Sequence, residues 1–447
     1  MRNIFENISW LLADKVSKLF PGILVLALLA RHLGPEQFGI WNYAIALTTI
    51  VGNLAVLGMD RMGVQELIHH EGQESTVVAT IIFMRVVAAL ICMAACILLV
   101  FFSRPLQPVY GYCTVFSAFT IFFQSFDVMD YFYQVKSGLR NVIVPRVSVF
   151  VIFCFIKIVL VYLQASLYVF LWITLLELVT TYAVILIRYG RRYPAIQLQH
   201  IDMAMAGRLL HKSWPLIFSN LVVVLFVKLD LVLLDWWSNP DQLGNYVVAI
   251  RISELWYALP AVMGTAMLPG LIQQKKDDTA AYLLTLERWL RLSCWAGLCI
   301  AVVVSVATPA MIRILYGAAY EFAAVILMIH IWACIPVFLL SVITQYLFVA
   351  GKYNVYLYGN ITGLLVNVAI NGLLIPSMGG AGAAIATVVA YSSVFVAMVC
   401  MDKTGQAWIL TQRMVYPLRV YADMKQVQGK LRRQLSVFNS NNPLPHE

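Results

Sequence analysis

Ionisable side chains inside long apolar segments are the residues of this sequence that could do chemistry. Arg251 and Glu254 are three residues apart, and Asp14 and Lys18 are four apart, so each pair shares a helix face and can form a neutralised pair. An embedded charge costs roughly 2.5–3.5 kcal/mol unless it meets water or a counter-ion. We expect a hydrated, mainly cationic cavity; the embedded cations are Lys15, Lys18, Arg85, Lys157, Lys228 and Arg251.

The depth of each cation in its apolar segment indicates whether it binds a ligand or merely reaches the membrane surface. Lys15 and Lys18 lie a few turns from a segment end, where snorkelling to the headgroups would also explain them, and the same alternative holds for Lys157. Arg85, Lys228 and Arg251 lie about 9–21 Å from the nearer end at 1.5 Å per residue. We predict an anion site formed by Arg251, Lys228, Arg85, Lys18 and Lys15, with coupling or counter-charge residues Asp14, Asp230, Glu254 and Glu177.

The apolar segments that carry these charges indicate a polytopic all-α membrane protein. Hydrophobic residues make up 61% of the chain and charged residues only 12%, which leaves no room for a soluble domain. At about 20 residues per span, the sequence predicts about twelve transmembrane helices. They lie near 8–30, 40–59, 76–102, 109–128, 144–163, 166–187, 214–237, 246–269, 291–313, 325–349, 355–376 and 381–401.

One segment of the first half recurs in the second half. Pro35-Glu36-Gln37-Phe38-Gly39 precedes Asn42-Tyr43, and Pro240-Asp241-Gln242-Leu243-Gly244 precedes Asn245-Tyr246; upstream stand Ser9-Trp10 and Ser213-Trp214. Because each half has an even number of spans, the repeat is parallel and predicts two six-helix lobes around a central cavity. We predict an N-terminal lobe at 1–195, a C-terminal lobe at 196–402 and a basic cytoplasmic tail at 403–447.

The basic residues give the orientation. With the N-terminus inside, Lys and Arg fall mostly on cytoplasmic segments, and only Arg31, Arg104 and Arg313 remain outside. We expect a bacterial inner-membrane, multi-pass protein with both termini in the cytoplasm. That topology accounts for the net charge of +9, so the charge does not indicate nucleic-acid binding.

The sequence does not favour an enzyme. Each predicted external loop has about a dozen residues or fewer, and neither cytoplasmic piece contains a Gly-rich phosphate loop. The eight cysteines show no C-x-x-C pair and no neighbouring histidine, so we interpret them as small apolar residues and expect no metal or cofactor. His330, alone at a span start, is typical of packing.

The charges, unlike the turn, are not repeated. Aligning the two Asn-Tyr pairs places Thr48 opposite Arg251 and Val51 opposite Glu254. A charge needed by the scaffold would be expected in both halves. The unrepeated charges therefore favour an asymmetric ligand.

Several segments resemble the polysaccharide-repeat flippases of bacteria. They are Ser9-Trp10 with Asp14 to Pro21, the turn Leu33 to Gly39, the run Asn245 to Ile252, Leu255 to Pro260, and Met267-Leu268-Pro269. These flippases belong to the multidrug/oligosaccharidyl-lipid/polysaccharide (MOP) exporter superfamily, and the O-antigen branch is the most similar. The likeness extends from about residue 5 to residue 400.

The resemblance implies a protein that moves an undecaprenyl-pyrophosphate-linked oligosaccharide across the inner membrane by alternating access. A cationic cavity would hold the pyrophosphate while the polyprenyl tail stays in lipid. In the related lipid II flippases, basic residues of spans 1 and 8 are thought to meet the pyrophosphate, and Lys15, Lys18 and Arg251 lie at matching places. Lysines replace that branch's arginines in span 1, so a point charge replaces a bidentate fork there.

Further expectations concern sugar binding, hinge motion and the energy source for transport. Sugar contacts are predicted at Asn42, Tyr43, Asn245, Tyr246 and Tyr257, and hinges at Pro21, Gly22, Pro260 and Gly264. Coupling to a proton or sodium gradient is one energy source, and downstream polymerisation is the other. The implied partners are membrane lipid, a polysaccharide polymerase and its chain-length regulator.

Two other functions remain open at this point. One is a drug or cation exporter of the same superfamily, which should present acidic residues without excess cations. The other is a membrane-embedded enzyme of polysaccharide assembly, which the short external loops disfavour.

Overall fold

The computed structural model describes residues 2–70, 72–136, 138–193, 198–412 and 414, and within them the chain is helical and contains no strand. Short 3₁₀ turns connect several of the helices. The α-helices are α1 (Arg2–Ala55), α2 (Met59–His69), α3 (Glu74–Ser103), α4 (Pro108–Gln124), α5 (Val128–Val135), α6 (Arg140–Tyr162), α7 (Leu167–Gly190), α8 (Met203–Trp237), α9 (Pro240–Asp277), α10 (Thr279–Leu315), α11 (Glu321–His330), α12 (Cys334–Val349), α13 (Tyr353–Met378), α14 (Gly380–Cys400) and α15 (Gln406–Gln412).

The all-helical membrane fold predicted from hydropathy is confirmed. Eleven helical segments of the described chain are long and apolar enough to cross a membrane, against about twelve predicted spans. The difference arises in α1, which contains most of the first two predicted spans and departs from helical geometry at Gly34. Gly34 has φ 75°, a conformation that glycine adopts without the steric cost of a Cβ, and Pro35 then begins the second helical stretch.

The chain divides into two compact units. Unit 1 comprises Met1–Val248, Pro309–Ala324 and Ile370–Ala383, and unit 2 comprises Ala249–Thr308, Val325–Ala369 and Ala384–Glu447. Unit 1 therefore contains the first repeat together with the three turns of the second repeat that the sequence predicts to be external. The predicted domain limits at 195 and 402 stay predictions, and the tail lies outside the described residues beyond 414.

Apolar side chains fill the core of unit 1 at the predicted cytoplasmic ends of its helices. The cluster includes Met59, Val78, Phe132, Ile185 and Leu209, which lie on five different helices. Tyr189 and Tyr193 stack beside Phe132, with their ring centroids 5.4 Å apart. Burial of such side chains is the main favourable contribution to packing between these helix ends.

A polar cluster in unit 2 connects the α12–α13 turn to the end of α14. The Asp402 carboxylate is fully buried and accepts hydrogen bonds from Lys352 Nζ, Tyr346 Oη at 2.9 Å, Thr404 Oγ1 at 2.8 Å and the Ala407 amide at 3.0 Å. Burial alone would raise the pKa of Asp402, but these donors hold that pKa well below its usual range. The cluster fixes the chain where α15 begins.

Candidate functional site

Arg251 lies on α9 in unit 2, and its guanidinium has an N–H group that makes no hydrogen bond to any described residue. Its Nη1 is 3.5 Å from Glu254 Oε2, on the helix face that the three-residue spacing predicts, and its side chain is 38% exposed. Within the described chain, the buried Nε of Arg251 has no hydrogen-bond partner. A half-exposed guanidinium with a long ion-pair contact and an unused N–H is suited to receive an anion.

The cations of span 1 are placed differently. Lys18 Nζ lies 2.7 Å from Asp14 Oδ1, so the neutralised pair that a four-residue spacing favours is present on α1. Both side chains remain partly exposed. Lys15 belongs to α1, but its side chain is outside the described set.

Arg85 lies in the interior of unit 1. Its side chain on α3 is only 2% exposed, and Nη1 donates to Tyr131 Oη at 2.9 Å. Tyr131 in turn donates to the Asp60 carboxylate on α2. The chain from Arg85 through Tyr131 to Asp60 joins three helices, which is the arrangement of a buried structural network.

Lys228 and Asp230 lie two residues apart on α8. Lys228 is half-buried, whereas Asp230 is buried and accepts hydrogen bonds from Tyr246 Oη at 3.1 Å and Asn371 Nδ2 at 2.9 Å. Tyr246 and Asn371 belong to unit 1 like Asp230. These two hydrogen bonds join α8 to α9 and α13 within unit 1.

A cavity of about 420 Å³ lies inside unit 1 among α1, α4, α6 and α7. Lys157 and Glu177 form an ion pair at its wall, with Nζ 2.6 Å from Oε2. Trp41 and Phe116 supply apolar surface, and Thr174 contributes a buried hydroxyl without a described partner. Lys157 is thus matched by a carboxylate rather than left to snorkel.

Sequence reasoning missed a second ionic group at this cavity. Arg146 makes a bidentate pair with Asp130, at 3.0 and 2.9 Å, and lies 3.9 Å from Asp127. Tyr182 donates to Asp127 at 2.7 Å. Arg146 falls at the start of predicted span 5 and Asp130 in the connection before it, where charges are ordinary, so the sequence contains no signal that this ionic group lies at a cavity wall.

The residues predicted to meet sugars are mostly engaged within the protein. Asn42 Nδ2 donates to the Phe38 carbonyl at 2.8 Å, and the buried Tyr43 hydroxyl accepts from Trp236 Nε1 at 3.1 Å. Tyr246 is bound to Asp230, as described above. Tyr257, in unit 2, stacks on His330 and meets Tyr391 edge-on.

Asn245, the fifth sugar candidate, bridges two backbone segments. Its Oδ1 accepts from the Ala323 amide at 3.0 Å, and its Nδ2 donates to the Asp241 carbonyl at 2.9 Å. The role of all five residues in sugar binding stays a prediction.

The four predicted hinge residues lie within continuous helices. α1 runs through Pro21 and Gly22, and α9 runs through Pro260 and Gly264. A Cβ on Gly264 would come 3.0 Å from the Gln345 amide, so this glycine permits a close approach between α9 and α12. Bending at these positions stays a prediction.

The two copies of the repeated turn touch each other inside unit 1. A Cβ on Gly39 would lie 2.0 Å from the Pro240 carbonyl oxygen, and a Cβ on Gly244 would lie 2.0 Å from the Pro35 carbonyl oxygen. The contact is reciprocal, and only glycine fits at either position. We call this contact, formed by residues 35–39 and 240–244, the turn seam.

Polar contacts surround the turn seam. Arg104, at the end of α3, lies 2.7 Å from Asp235 on α8, whose carboxylate is fully buried and also accepts from Tyr110 Oη at 2.7 Å. Tyr320 donates to the Ala30 carbonyl at 2.8 Å, and the Gly380 amide donates to Gln242 Oε1 at 3.1 Å. All three predicted external turns of the second repeat are thereby bonded within unit 1.

Comparison with known proteins gives a family and a fold. A family model described as "Polysaccharide biosynthesis protein" matches residues 28–325, and no curated protein matches the sequence. The lipid II flippase MurJ, in an inward closed conformation, is similar in structure with a TM-score of 0.70 and 13% identity, covering 97% of this chain and 99% of MurJ.

Multidrug transporters share the fold as well. An inward-facing multidrug resistance MATE family transporter of the MOP superfamily gives a TM-score of 0.67 with 13% identity, covering 92% of this chain and 96% of that one. The eukaryotic MATE transporter AtDTX14 gives 0.53 with 12% identity, covering 93% and 99%. At such low identity these likenesses establish the fold alone.

Proposed function

Because the chain belongs to the polysaccharide biosynthesis protein family, with the helical membrane fold that MurJ and MATE transporters share, we propose that it is a flippase for a lipid-linked oligosaccharide. Its cargo is an undecaprenyl-pyrophosphate-linked repeat unit of O-antigen or a similar polysaccharide. The protein carries this lipid between leaflets by alternating access and is not an enzyme.

The availability of Arg251 is the observation that carries the proposal. Two other embedded cations, Lys18 and Lys157, lie 2.7 and 2.6 Å from their carboxylates. Arg251 instead keeps a 3.5 Å contact and an unused Nε–H; Arg85 also has an unused Nε–H, but its side chain is buried, whereas that of Arg251 is partly exposed. A pyrophosphate supplies oxygen pairs that match the two-donor edge of a guanidinium.

The positive charge of Arg251, the side chain available to cargo, separates this proposal from export of a cationic drug. The fold does not separate them, since the TM-scores for MurJ and for the inward-facing MATE transporter are nearly equal. An exporter of cations would be expected to leave carboxylates available. Asp14 and Glu177 are paired with lysines, and Asp230 is bonded to Tyr246 and Asn371.

Lys15, Lys18 and Lys228 are further candidates for contact with the anionic cargo. Arg85 is proposed to support the fold through Tyr131 rather than to touch cargo, given its burial. A coupling proton or sodium ion is proposed to bind at one of four carboxylates, Asp14, Asp230, Glu254 or Glu177. We place the protein in the bacterial inner membrane with both termini cytoplasmic, upstream of a polysaccharide polymerase and its chain-length regulator.

Complementation tests the function directly. In a strain that lacks this gene, repeat units should accumulate on the cytoplasmic face and surface polysaccharide should be lost. The wild-type gene should restore both. Normal surface polysaccharide in a deletion strain that has no second flippase would contradict the proposal.

Variants of Arg251 test the site. Arg251→Ala should abolish complementation while the protein still accumulates, and Arg251→Lys should restore it only partly, because a point charge replaces a fork. Lys276→Ala is the matched control, since it removes an exposed cation from the same helix. Wild-type transport by Arg251→Ala would remove Arg251 from the site.

A further inference from the structure

We infer that unit 2 binds the headgroup of an anionic phospholipid such as phosphatidylglycerol, between the start of α13 and the end of α14. The ligand is a phosphodiester that carries acyl chains, and Lys403 is the cation that meets it. The site does not include Arg251 and does not depend on the proposed cargo. Its assignment to the cytoplasmic leaflet rests on the orientation proposed above.

A cavity of about 580 Å³ lies at this place, and its lining changes from polar to apolar along the helix axes. Lys352, Lys403 and Thr404 line it from the connections outside the helices. Val355 and Tyr358 line it from within α13. A phospholipid has the same order, because its charged headgroup lies at the membrane surface and its chains lie beside the apolar helices.

The charge of the cavity matches that of one phosphodiester. The three N–H groups of the Lys352 ammonium have acceptors, which are Asp402 Oδ1, Thr404 Oγ1 at 2.7 Å and Tyr346 Oη at 3.0 Å. Lys352 and Asp402 therefore neutralise each other and fix the lining. Lys403 is exposed and makes no ion pair among the described residues, so it leaves one positive charge for the single negative charge of the phosphate.

The surface beside the cavity has the composition of a membrane interface. The short helix α15 follows α14 and buries Ala407 and Leu410, while Trp408 is exposed. Tyr353 and Tyr358 are exposed on α13. Tryptophan and tyrosine are enriched at the depth of the lipid headgroups, so the cavity lies where a headgroup can enter it.

Cys400 reports directly on occupancy, because this thiol is exposed and lines the cavity. Purified wild-type protein is placed in phosphatidylcholine nanodiscs that contain a rising fraction of phosphatidylglycerol. The rate at which N-ethylmaleimide alkylates Cys400 is followed by mass spectrometry of its peptide. The rate should fall as phosphatidylglycerol fills the cavity, and the fraction at half protection measures the affinity.

Variants of the lining test which residues hold the phosphate. Lys403→Ala should raise the fraction of phosphatidylglycerol at half protection about fivefold, the usual effect of one basic residue near an anionic membrane surface. Asn354→Asp should weaken protection as well, since its charge repels phosphate while an acidic residue in the first turn of α13 favours the helix. Lys276→Ala is the matched control, because it removes an exposed cation that does not line the cavity.

Two further measurements identify the source of the phosphate. Ala280→Cys, exposed at the start of α10, reports the change in surface potential that phosphatidylglycerol causes at any thiol, and the rate at Cys400 is divided by its rate. Glycerophosphoglycerol is the same phosphodiester without acyl chains. It should not protect Cys400 at the concentration at which the lipid does.

Three results would overturn the lipid site. They are a rate at Cys400 that does not depend on phosphatidylglycerol, protection that is the same in Lys403→Ala and Asn354→Asp as in the wild type, and equal protection by glycerophosphoglycerol. An equal loss in Lys276→Ala would count against it too. None of these readouts involves polysaccharide, so a failed lipid site leaves the flippase standing, and a failed complementation test leaves the lipid site standing.

Discussion

The two repeats differ in what they have kept. The turn occurs in both, and its copies pack against each other through Gly39 and Gly244. Charged residues at matching places, in contrast, differ in their surroundings between the repeats. Arg104 and Arg313 both end the third span of their half, yet Arg104 pairs with buried Asp235 while Arg313 is exposed. The glycines of the turn are the same in both copies, whereas the charged residues beside the turn seam differ between the repeats.

The largest expected effect is the loss of stability on replacing Arg104, which tests whether the two arginines differ. Arg104→Ala leaves the Asp235 carboxylate buried without its cation, and removing one partner of a buried pair costs about 3–5 kcal/mol. We expect the lower end, because Arg104 is partly exposed. Thermal unfolding in detergent measures the loss. Arg313→Ala is the control from the other repeat and should unfold as the wild type does; equal losses would mean that the two arginines are equivalent after all.

A second, intermediate effect concerns pH at the Asp402 cluster. The pKa of Asp402 is held below its unfolded value of about 3.9, so its bonds stabilise the fold above that pH, and the contribution is lost as the pH falls through the folded value. We expect Asp402→Asn to unfold at a lower temperature than the wild type at pH 7, with the gap narrowing toward pH 3. Asp277→Asn, at an exposed position, should show no gap, and a constant gap for Asp402→Asn would contradict the linkage.

The smallest expected effect is the stability lost on replacing Lys136, compared with the loss on replacing Lys352. Lys136 and Lys352 both lie between the fourth and fifth spans of their half, but Lys136 pairs with Glu74 in an exposed position and Lys352 with buried Asp402. Lys136→Met should cost only about 0.2–1 kcal/mol. Lys352→Met should cost about 1–3 kcal/mol, because a buried acceptor loses a donor. Chemical unfolding of both variants would show whether burial sets the difference, and a reversed order would refute it.

Hydropathy predicted the spans well because each must supply about 20 apolar residues, and only α1, which runs through Gly34, altered their number. Ion pairs within one helix, such as Asp14 with Lys18, follow from spacing alone. Contacts between helices do not. The sequence could not show that Arg85 meets Tyr131, or that Arg146 meets Asp130, because such pairs depend on tertiary packing.

The repeated turn illustrates the same limit. Its duplication was visible in the sequence, but the contact between its copies was not, since a sequence match states that two segments are alike and says nothing of their distance. The glycines carried the only signal. A glycine at the same place in both copies is the residue that a close approach of two backbones requires.

In the turn seam, each copy offers its glycine to the proline carbonyl of the other. This exchange is the pattern of an isologous interface, in which one patch on two identical subunits binds itself about a two-fold axis. A six-helix protein with a single copy of the turn could make the contact only by pairing with another molecule of itself. The seam thus has the form of a homodimer interface within one polypeptide, and because the two halves are parts of one chain, each can carry charges that the other lacks.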